Sequence, residues 1–314
     1  MPRVVPPIDG RTSNSSLNPS FVESVAGFSA GVVATLVVHP FDILKTRLQL
    51  DQSTKAQWGS SWKILRKIVR EEGNVTALYR GLWPNMIGNS VSWALYFLWY
   101  RNIKDFFQAQ RGPGGRLSSA DYLLASGTSG ILTAVCTNPI WVIKTRMIST
   151  GRNTPGAYTG MWHGTKEIAR TEGLRGFYRG LLPSLFGVSH GAIQFMAYEQ
   201  LKLRRSAQIN NAELSNWDYL TLSAVSKIFA GSITYPYQVV RSRLQTYDAQ
   251  IAYTSAGDVV TQVWRKEGIR GFYKGLVPNI VRVLPSTCVT FLVYENTKFY
   301  LPRFYDTHNT AELE

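Results

Sequence analysis

Three segments of this sequence, about one hundred residues apart, carry charged residues at spacings that could form ion pairs. Each begins with proline and has basic residues five and seven positions later. They read Pro40-Phe-Asp42-Ile-Leu-Lys45-Thr-Arg47, Pro139-Ile-Trp141-Val-Ile-Lys144-Thr-Arg146 and Pro236-Tyr-Gln238-Val-Val-Arg241-Ser-Arg243. Proline inside a helix removes a backbone hydrogen bond and bends the helix. Bends just before the charges would bring them toward a common axis, where matched pairs could open and close.

A second pattern follows each of these segments. A glutamate–glycine pair precedes, by a few residues, an aromatic residue, a basic residue and a glycine. The copies are Glu72-Gly73 with Tyr79-Arg80-Gly81, Glu172-Gly173 with Tyr178-Arg179-Gly180, and Glu267-Gly268 with Tyr273-Lys274-Gly275. A fixed long period indicates a chain built from repeated structural units. Three like units predict a threefold pseudo-symmetric body whose axis could hold a ligand or a channel.

The distribution of charge predicts a membrane protein. The mean hydropathy is only −0.09, but no Asp, Glu, Lys or Arg occurs in Tyr122–Ile143 or in Leu181–Tyr198. Such segments approach the length of about 20 residues that crosses a hydrocarbon core. Six apolar spans are predicted, at roughly 20–47, 83–105, 118–147, 181–203, 217–244 and 276–299. The expected fold class is therefore all-α, with six transmembrane helices.

A basic amphipathic segment separates the two spans of each repeat. In the first repeat Trp62, Leu65 and Ile68 recur at helical spacing among lysines and arginines. Residues 162–170 and 259–266 are the counterparts, and we expect three short helices at a membrane surface. Because each basic loop joins an odd span to an even span, all three lie on one side and both termini on the other.

Polar linkers divide the chain into a leader and three repeats. Residues 1–19 are rich in Pro, Ser and Asn and lack the apolar core of a signal peptide, so we expect a disordered leader. The repeats are predicted at 20–107, 118–204 and 214–301. Small-residue spacing at Gly27/Gly31 and Ser126/Gly130 predicts close helix packing.

The net charge of +14 suits an anionic ligand, anionic lipid or nucleic acid. A soluble nucleic-acid-binding repeat protein would explain the basic residues, but it would not need uncharged segments of membrane length. No P-loop, GxSxG motif or metal-spaced cluster occurs, so we expect no catalytic residue, no metal and no catalytic cofactor. Cys136 and Cys288 lie in apolar stretches and are expected to be free, buried thiols.

The repeated motifs resemble the signature of the mitochondrial carrier family, Pro-x-acid-x-x-base-x-base on each odd helix followed by acid-Gly and aromatic-base-Gly. The resemblance covers about residues 20 to 301. It implies a six-helix, threefold pseudo-symmetric bundle with three short matrix-side amphipathic helices. It places the chain in the inner mitochondrial membrane, both termini toward the intermembrane space. It also implies alternating access, in which a central cavity opens to each side in turn.

The resemblance implies a ring of ion pairs at the proline motifs, which we call the matrix gate. Its predicted members are Asp42, Lys45, Trp141, Lys144, Gln238, Arg241, Gln49 and Gln245. In cyclic order Asp42 is expected to pair with Lys144. Gln238 replaces an acid and can offer Lys45 only a hydrogen bond.

Trp141 also replaces an acid, so Arg241 is expected to lack its carboxylate. One full ion pair of three remains, which predicts a weakened gate, braced one turn below by Gln49 and Gln245. The alternative is that Trp141 and Gln238 are packing substitutions with no effect on gating.

A second ring, the cytoplasmic gate, is implied at the other end of the even helices. Its predicted members are Lys104, Glu199, Lys202, Glu295 and Lys298. The expected pairs are Glu199 with Lys298 and Glu295 with Lys104. Arg101 stands at the third acid position and would face Lys202. The alternative is a set of ordinary surface pairs within each helix.

Substrate contacts in the family lie on the even helices, seven residues beyond the motif glycine. Here those positions are Gly88, Gly187 and Arg282. The two glycines leave room, and an arginine at mid-span is expensive unless it has a function. Arginine can hold a phosphate with two parallel hydrogen bonds.

Helical spacing extends this face to further polar residues. The complete predicted substrate-binding set is Gly88, Asn89, Tyr96, Gly187, Val188, His190, Gln194, Lys227, Arg282 and Ser286. Lys227 stands where the other repeats have Gly31 and Gly130. It either extends to the membrane interface or points into the cavity toward an anion, and we favour the cavity. His190 could equally be a packing residue.

Local sequence similarity indicates the branch of the family. The segment 137–146 is similar to carriers of nucleotide-type cofactors, and 188–199 and 235–241 are similar to the FAD/folate branch. The predicted function is transport of FAD, with folate, NAD or pyrimidine nucleotides as alternatives. FAD is thus expected as cargo. The expected partners are an anionic nucleotide-like molecule and membrane lipid, with cardiolipin as a candidate at the matrix-side helices. No nucleic acid is expected. A monomer is expected, because three repeats complete a ring.

Overall fold

We describe a computed structural model of the chain, over residues 19–51, 60–72, 75–111, 117–151, 154, 156–209, 214–247 and 249–311. Within these ranges the regular structure is entirely helical, which confirms the all-α class. The helices are α1 (Pro19–Leu50), α2 (Ser60–Glu71), α3 (Leu82–Arg111), α4 (Ser119–Ser149), α5 (Met161–Thr171), α6 (Gly173–Phe177), α7 (Leu181–Leu185), α8 (Gly187–Gln208), α9 (Asn216–Ile233), α10 (Tyr235–Leu244), α11 (Ala249–Ala252), α12 (Ala256–Glu267), α13 (Leu276–Val281) and α14 (Val283–Ala311). Two 3-10 turns occupy Val75–Tyr79 and Ile269–Tyr273.

The chain divides into two compact units. One contains the residues up to Val37 together with those from Pro285 onward, and the other runs from Val38 to Leu284. In the first unit, Lys298 pairs with Glu23 at 3.7 Å. The predicted leader lies, but for Pro19, outside the described residues, as do parts of both linkers. All the site residues discussed below except Ser286, Glu295 and Lys298 belong to the second unit.

The odd spans respond differently to their prolines. α1 continues through Pro40 and α4 through Pro139. The third odd span is interrupted at Thr234, and Pro236 lies in the first turn of α10. Proline is tolerated in a first turn because the N–H groups there have no intrahelical acceptor. Only the third odd span is interrupted next to its proline, and the bends predicted at Pro40 and Pro139 stay predictions.

Two of the three even spans are interrupted where the sequence predicts substrate contacts. α7 and α8 are separated at Phe186, directly before Gly187. α13 and α14 are separated at Arg282 itself. The first even span, α3, continues through Gly88. Phe186 and Arg282 both keep right-handed helical dihedrals, so each even span continues in nearly the same direction through its interruption.

Capping boxes fix the start of two odd helices. Ser118 accepts from the backbone N–H of Asp121, whose carboxylate accepts from the backbone of Ser118. Ser215 and Asp218 form the same arrangement before α9. Each box satisfies two backbone donors that would otherwise lack partners, which is worth about 1 kcal/mol per cap.

Each amphipathic helix buries its apolar face against the end of an odd span. Ile68, Ile168 and Val263 are at most 2% exposed, and each belongs to a hydrophobic cluster that includes odd-span residues. Burying one such side chain stabilises the packing by about 1.5–3 kcal/mol. The opposite faces carry Trp62, Trp162 and Trp264, which remain more than 60% exposed. The helices predicted from hydrophobic spacing are thus present as α2, α5 and α12. The glycine predicted to end the first of them, Gly73, lies outside the described residues.

Small residues face inward on α1 while bulky apolar residues face outward. Ala26, Ala30 and Ala34 are buried, whereas Phe28 is 71% exposed. The interface predicted at Gly27 and Gly31 is wrong: no described atom lies within 4 Å of a methyl group added at either glycine. The alanines one position before those glycines are the buried small residues instead. Gly130 does pack closely, since a methyl group added there would come 3.2 Å from Val188 Cγ2.

Exposed apolar side chains recur along the long helices of the described part of the chain. They include Trp83, Leu123, Phe195 and Trp217, all more than 60% exposed. Large exposed apolar surfaces mark contact with a membrane or another protein. Two helical stretches, Phe21–Leu50 and Ile269–Tyr305, are long and apolar enough to cross a bilayer. Cys136 and Cys288 are free thiols but are exposed rather than buried, because they lie on such outward faces.

The motif glycines adopt a conformation that other residues rarely take. Gly81, Gly180 and Gly275 all have positive φ, and Gly275 has φ +85°. A methyl group at Gly275 would also come within 2.7 Å of the Tyr235 hydroxyl and 2.8 Å of the Lys45 carbonyl. Both the backbone and the surroundings therefore require glycine there.

We expect Gly275→Ala to lower the thermal unfolding temperature more than Gly156→Ala. Both positions have positive φ, which costs about 1–2 kcal/mol for a residue with a side chain, but Gly156 has open space around it. The clash at Gly275 adds about 1–3 kcal/mol. Thermal unfolding of the detergent-purified variants measures both effects. Equal losses in the two variants would contradict this account.

Candidate substrate site and gates

The last arginine of each proline motif forms an ion pair with the glutamate of the following glutamate–glycine motif. The pairs are Arg47–Glu72, Arg146–Glu172 and Arg243–Glu267. Arg146 and Arg243 are at most 3% exposed on their side chains, and the glutamates at most 9%. Arg179 and Lys274, from the aromatic-base-glycine motifs, add second pairs to Glu172 and Glu267 at 3.0 and 2.7 Å.

The same arginines bind the carbonyls of the next repeat in cyclic order. Arg47 Nε donates to Ile148 O at 3.1 Å, and Arg146 Nε donates to Gln245 O at 3.2 Å. Arg243 Nε donates to the Gln49 carbonyl at 3.0 Å, which returns to the first repeat. The carbonyl oxygens that accept these hydrogen bonds lie at the ends of odd helices, where carbonyls have no donor within the helix. The three contacts therefore join the repeats into a closed cycle.

These arginine–glutamate pairs are the partners that our sequence analysis did not assign. The sequence shows both the proline motif and the glutamate–glycine motif, but neither motif alone indicates that the two pair with each other. The signal that could have joined them is their common period, since acid and base recur at nearly constant separation in every repeat. A buried arginine requires a buried counter-charge, and the glutamate–glycine motif is the acid that follows each arginine.

The predicted matrix gate is assembled differently from the expected ring. Asp42 forms its ion pair with Arg282, not with Lys144 as the sequence predicted. All three side chains line one cavity, and a guanidinium presents several N–H donors in a planar fork that matches a carboxylate, which an ammonium does not. Lys144 remains within electrostatic range of the same carboxylate.

The predicted hydrogen bond between Lys45 and Gln238 is confirmed. Lys45 Nζ donates to Gln238 Oε1 at 2.7 Å and also to Asn279 Oδ1 at 2.9 Å. The ammonium lies 5.5 Å from the centre of the Tyr235 ring. Two neutral acceptors and an aromatic ring thus surround the Lys45 ammonium, because the third repeat has Gln238 where a carboxylate is expected.

Trp141 contacts two of the cations that have no ion-pair partner among the described residues. Its ring centre lies 4.9 Å from Lys144 Nζ and 5.8 Å from Arg241 Cζ. Cations within about 6 Å of an indole ring are attracted to its face. Trp141 occupies the acid position of the motif, so its ring partly replaces the missing carboxylate. This contact gives Trp141 an electrostatic part in addition to packing.

Gln49 and Gln245 are fully buried and link odd spans of different repeats. Gln49 donates to the Tyr235 hydroxyl at 3.0 Å and accepts from Ser242 at 2.7 Å. Gln245 accepts from Thr145 at 2.9 Å. Each glutamine follows the last arginine of its proline motif by two residues and links neighbouring odd spans, as the prediction of a bracing residue requires. Their part in gating stays a prediction.

A cavity of about 240 Å³ lies among these groups. Its lining includes Asp42, Lys45, Trp141, Lys144, Gln238, Arg241 and Arg282. Four cations therefore face one carboxylate. An uncompensated positive site of this kind attracts an anion, and guanidinium groups can bind phosphate in bidentate fashion. We call this space the cationic cavity.

The two glycines at the predicted contact positions lie against aromatic side chains. A methyl group at Gly88 would come 3.4 Å from Trp141 Cζ2, and one at Gly187 would come 3.1 Å from the Tyr237 hydroxyl. Gly88 therefore lies next to a member of the matrix gate, and its tightest neighbour is Ile140 Cγ2, 3.2 Å from the added methyl group. In this conformation the space beside Gly88 and Gly187 is occupied by side chains of the protein itself.

The remaining predicted contacts are dispersed. The Tyr96 hydroxyl lies 2.9 Å from Ser126 Oγ, and His190 Nδ1 lies 2.9 Å from Thr234 Oγ1. Asn89 contacts Asn85 on its own helix at 3.5 Å. Gln194 lines a separate cavity of about 340 Å³.

Lys227 is exposed and lies within electrostatic range of Arg282 and His190. Its orientation toward an anion stays a prediction. Ser286 belongs to the other unit, as do Glu295 and Lys298 of the cytoplasmic gate. The pairs predicted across that gate stay predictions. Arg101 lies 3.7 Å from Asp105 on its own exposed helix face.

Comparison with known proteins gives similarities over nearly the whole chain. A profile described as mitochondrial carrier protein matches residues 17–111, 115–206 and 212–305. A mitochondrial FAD carrier protein of Saccharomyces cerevisiae is 40% identical over 301 residues, covering 89% of this chain and 96% of that protein. Folate transporter 1, chloroplastic, of Arabidopsis thaliana is 36% identical, with coverages of 87% and 93%. Mitochondrial nicotinamide adenine dinucleotide transporter 2 of the same plant is 38% identical, with coverages of 86% and 77%.

We expect the stabilising contribution of Glu267 to depend on pH. Burial by itself raises the pKa of this carboxyl, but hydrogen bonds and charge from Arg243 and Lys274 outweigh burial and hold the pKa below its ordinary 4.5. A lowered folded-state pKa means that the stabilisation is complete above the unfolded value and is lost as pH falls through the folded one. Near neutral pH, Glu267→Gln should therefore lower the free energy of unfolding by about 3–5 kcal/mol and lower the unfolding temperature accordingly. The difference in stability between this variant and the wild type should shrink as the solution is made acidic.

The matched control is Glu71→Gln, whose carboxylate is 62% exposed and 4.0 Å from Lys67. This variant should follow the wild type at every pH. A difference between wild type and Glu267→Gln that stays constant down to about pH 3 would contradict the assignment.

We expect Trp141→Leu to lower the unfolding temperature more than Trp141→Phe. Leucine removes the aromatic face from Lys144 and Arg241, whereas phenylalanine retains it, and such contacts are worth about 0.5–2 kcal/mol. The control pair is Trp162→Leu and Trp162→Phe, because Trp162 is 71% exposed and its ring lies 5.4 Å from Lys166. That pair should differ little. Equal behaviour of the two Trp141 variants would rule out an electrostatic part for the ring.

Proposed function

This chain belongs to the mitochondrial carrier family, and we propose that it carries FAD across the mitochondrial inner membrane by alternating access. The observation that carries the proposal is the 40% identity to a mitochondrial FAD carrier protein, extending over 89% of this chain. The folate transporter among the relatives agrees with the FAD/folate branch indicated by the motifs. Members of the family are carriers, and no enzymatic activity is proposed.

The charge of the site supports an anionic cargo. The cationic cavity holds Lys45, Lys144, Arg241 and Arg282 around the single carboxylate of Asp42. FAD carries a pyrophosphate, which can compensate this excess of positive charge. The volume of about 240 Å³ is below the roughly 300–1,000 Å³ of common ligand sites. The cavity must therefore enlarge to take a dinucleotide.

The pair between Arg282 and Asp42 provides a way to couple cargo to gating. Arg282 occupies a predicted contact position, and Asp42 belongs to the predicted matrix gate. A phosphate bound to Arg282 would displace the Asp42 carboxylate. Asp42 would then be available to Lys144, which lies within its electrostatic range. Cargo shifts the equilibrium between gate states because it binds one arrangement of this pair better than the other.

We place the chain in the membrane as six helices with threefold pseudo-symmetry and both termini in the intermembrane space. The cyclic contacts of Arg47, Arg146 and Arg243 support the symmetry. The outward tryptophans of α2, α5 and α12 support their position at the membrane surface, because tryptophan favours the lipid–water interface. Cardiolipin is the lipid proposed at these helices. A monomer is proposed because one chain contains all three repeats.

We expect the purified protein in liposomes preloaded with FAD to take up labelled FAD. Arg282→Ala should reduce uptake about 10- to 100-fold, since a hydrogen bond to a charged group is worth about 1.5–3 kcal/mol. Arg205→Ala is the matched control, because Arg205 is exposed and pairs only at the surface, with Asp218 at 2.8 Å. Its uptake should equal that of the wild type.

Two further measurements separate cargo binding from folding. The double variant Arg282→Ala/Asp42→Asn removes both charges of the pair, so it should regain thermal stability without regaining uptake. Recovery of uptake in the double variant would show that Arg282 serves the gate rather than the cargo. No FAD uptake by the wild type, together with robust exchange of folate, NAD or a pyrimidine nucleotide, would reject FAD as the substrate.

A further inference from the structure

A second cavity adjoins the cationic cavity and differs from it in character. Its volume is about 310 Å³, and its lining comes from α3, α4, α7, α8 and α10. Trp141, Tyr237 and Arg241 line both cavities. The other lining residues are Ser92, Gly130, Thr133, Ala134, Thr137, Asn138, Ser184, Gly187 and Val188. Apart from Arg241 on the shared wall, this lining is uncharged, and we call it the neutral cavity.

Three oxygens on residues that line the neutral cavity are buried and have no hydrogen-bond partner in the described part of the chain. They are Ser92 Oγ, Thr133 Oγ1 and Asn138 Oδ1. Thr133 is 8% exposed and Asn138 is 1% exposed. An unsatisfied buried polar group costs about 1–3 kcal/mol, so three of them on one cavity require an explanation. A polar ligand would supply the missing partners.

The chemistry of these oxygens defines the ligand group. The Asn138 amide nitrogen donates to the carbonyls of Phe177 and Arg179, at 2.7 and 3.3 Å, which fixes the direction of the amide. Its free oxygen can therefore only accept. The hydroxyls of Ser92 and Thr133 can donate or accept. The group that fits must carry O–H or N–H donors. A phosphate or carboxylate would place acceptor against acceptor at Asn138.

The neighbouring cavity takes the opposite kind of group. Four cations face it, and Trp141, Tyr237 and Arg241 line both cavities. A ligand that occupies both must have an anionic part joined to a neutral part rich in hydroxyl or N–H groups. Dinucleotides have this composition.

We propose that the neutral cavity is a subsite for the uncharged, donor-bearing part of the cargo, a sugar or polyol chain or the N–H edge of a base. Ser92, Thr133 and Asn138 bind that part, while the cationic cavity holds the phosphates. The assignment rests on the proposed transport of a dinucleotide. It makes the fit of the neutral part, in addition to charge, a determinant of which anions are carried.

Thr133→Val tests the subsite and Thr165→Val is its matched control. Thr133 lines the neutral cavity, and its hydroxyl has no hydrogen-bond partner among the described residues. Thr165 lies on α5 and lines neither the cationic nor the neutral cavity, and its hydroxyl donates to the Met161 carbonyl at 2.9 Å. The concentration of FAD for half-maximal uptake should rise about three- to tenfold in Thr133→Val, the effect of one lost hydrogen bond. It should stay unchanged in Thr165→Val.

Ser92→Ala should show the same rise, and the double variant with Thr133→Val should show a larger one. Inorganic pyrophosphate carries the anionic part alone. Its half-maximal concentration for inhibiting uptake should be equal in wild type and Thr133→Val. A rise of equal size for FAD and for pyrophosphate would overturn the subsite, as would identical FAD uptake in all variants.

Failure of the proposed function is separately visible. If the wild type takes up NAD or folate but no FAD, the identity of the cargo is wrong. The comparison of Thr133→Val with Thr165→Val is then made with the transported compound and decides the subsite in the same way. Thermal unfolding of each variant identifies losses that arise from folding rather than from cargo.

Discussion

Burial of the three motif arginines is the constraint on which the rest of this structure depends. Arg146 and Arg243 are almost completely inaccessible, and a buried guanidinium needs both a counter-charge and acceptors for its N–H groups. The glutamates of the second motif provide the charge. Carbonyls at the ends of neighbouring odd helices provide acceptors, and the cyclic order of these contacts links repeat one to two, two to three and three to one. The amphipathic helices are held at the odd helices by the same pairs, because each glutamate lies at or just after the end of its amphipathic helix.

The site above this cycle is defined by where the symmetry of charge fails. Of the three acid positions only Asp42 is a carboxylate, while Gln238 and Trp141 occupy the others. Lys45 donates to the Gln238 amide oxygen, and Lys144 and Arg241 lie against the face of the Trp141 ring. These weaker partners leave a surplus of positive charge that an anionic cargo can compensate. A complete ring of ion pairs would neutralise the cavity and leave less for the cargo to bind. The departure from symmetry therefore favours a ligand that is itself asymmetric.

Residues from the even spans meet the odd spans at this site. Arg282 pairs with Asp42, and Gly88 lies close to Ile140 and Trp141. A methyl group added at Gly88 would come 3.2 Å from Ile140 Cγ2 and 3.4 Å from Trp141 Cζ2, so little space is left at this glycine. Trp141 lines both the cationic and the neutral cavities.

The sequence by itself determined the helical class, the three repeats, the amphipathic helices, the family and the hydrogen bond from Gln238 to Lys45. All of these follow from periodicity and from residue type, which are local properties of the chain. Tertiary structure decided which base pairs with Asp42, because several cations from different spans meet around that carboxylate. It also decided that α1 and α4 continue through their prolines, that Ala26 and Ala30 rather than Gly27 and Gly31 face inward, and that Cys136 and Cys288 face outward. Three oxygens became recognisable as unsatisfied only when residues from α3 and α4 met at one cavity. Burial and pairing are properties of distance between elements, and no spacing along the chain contains that distance.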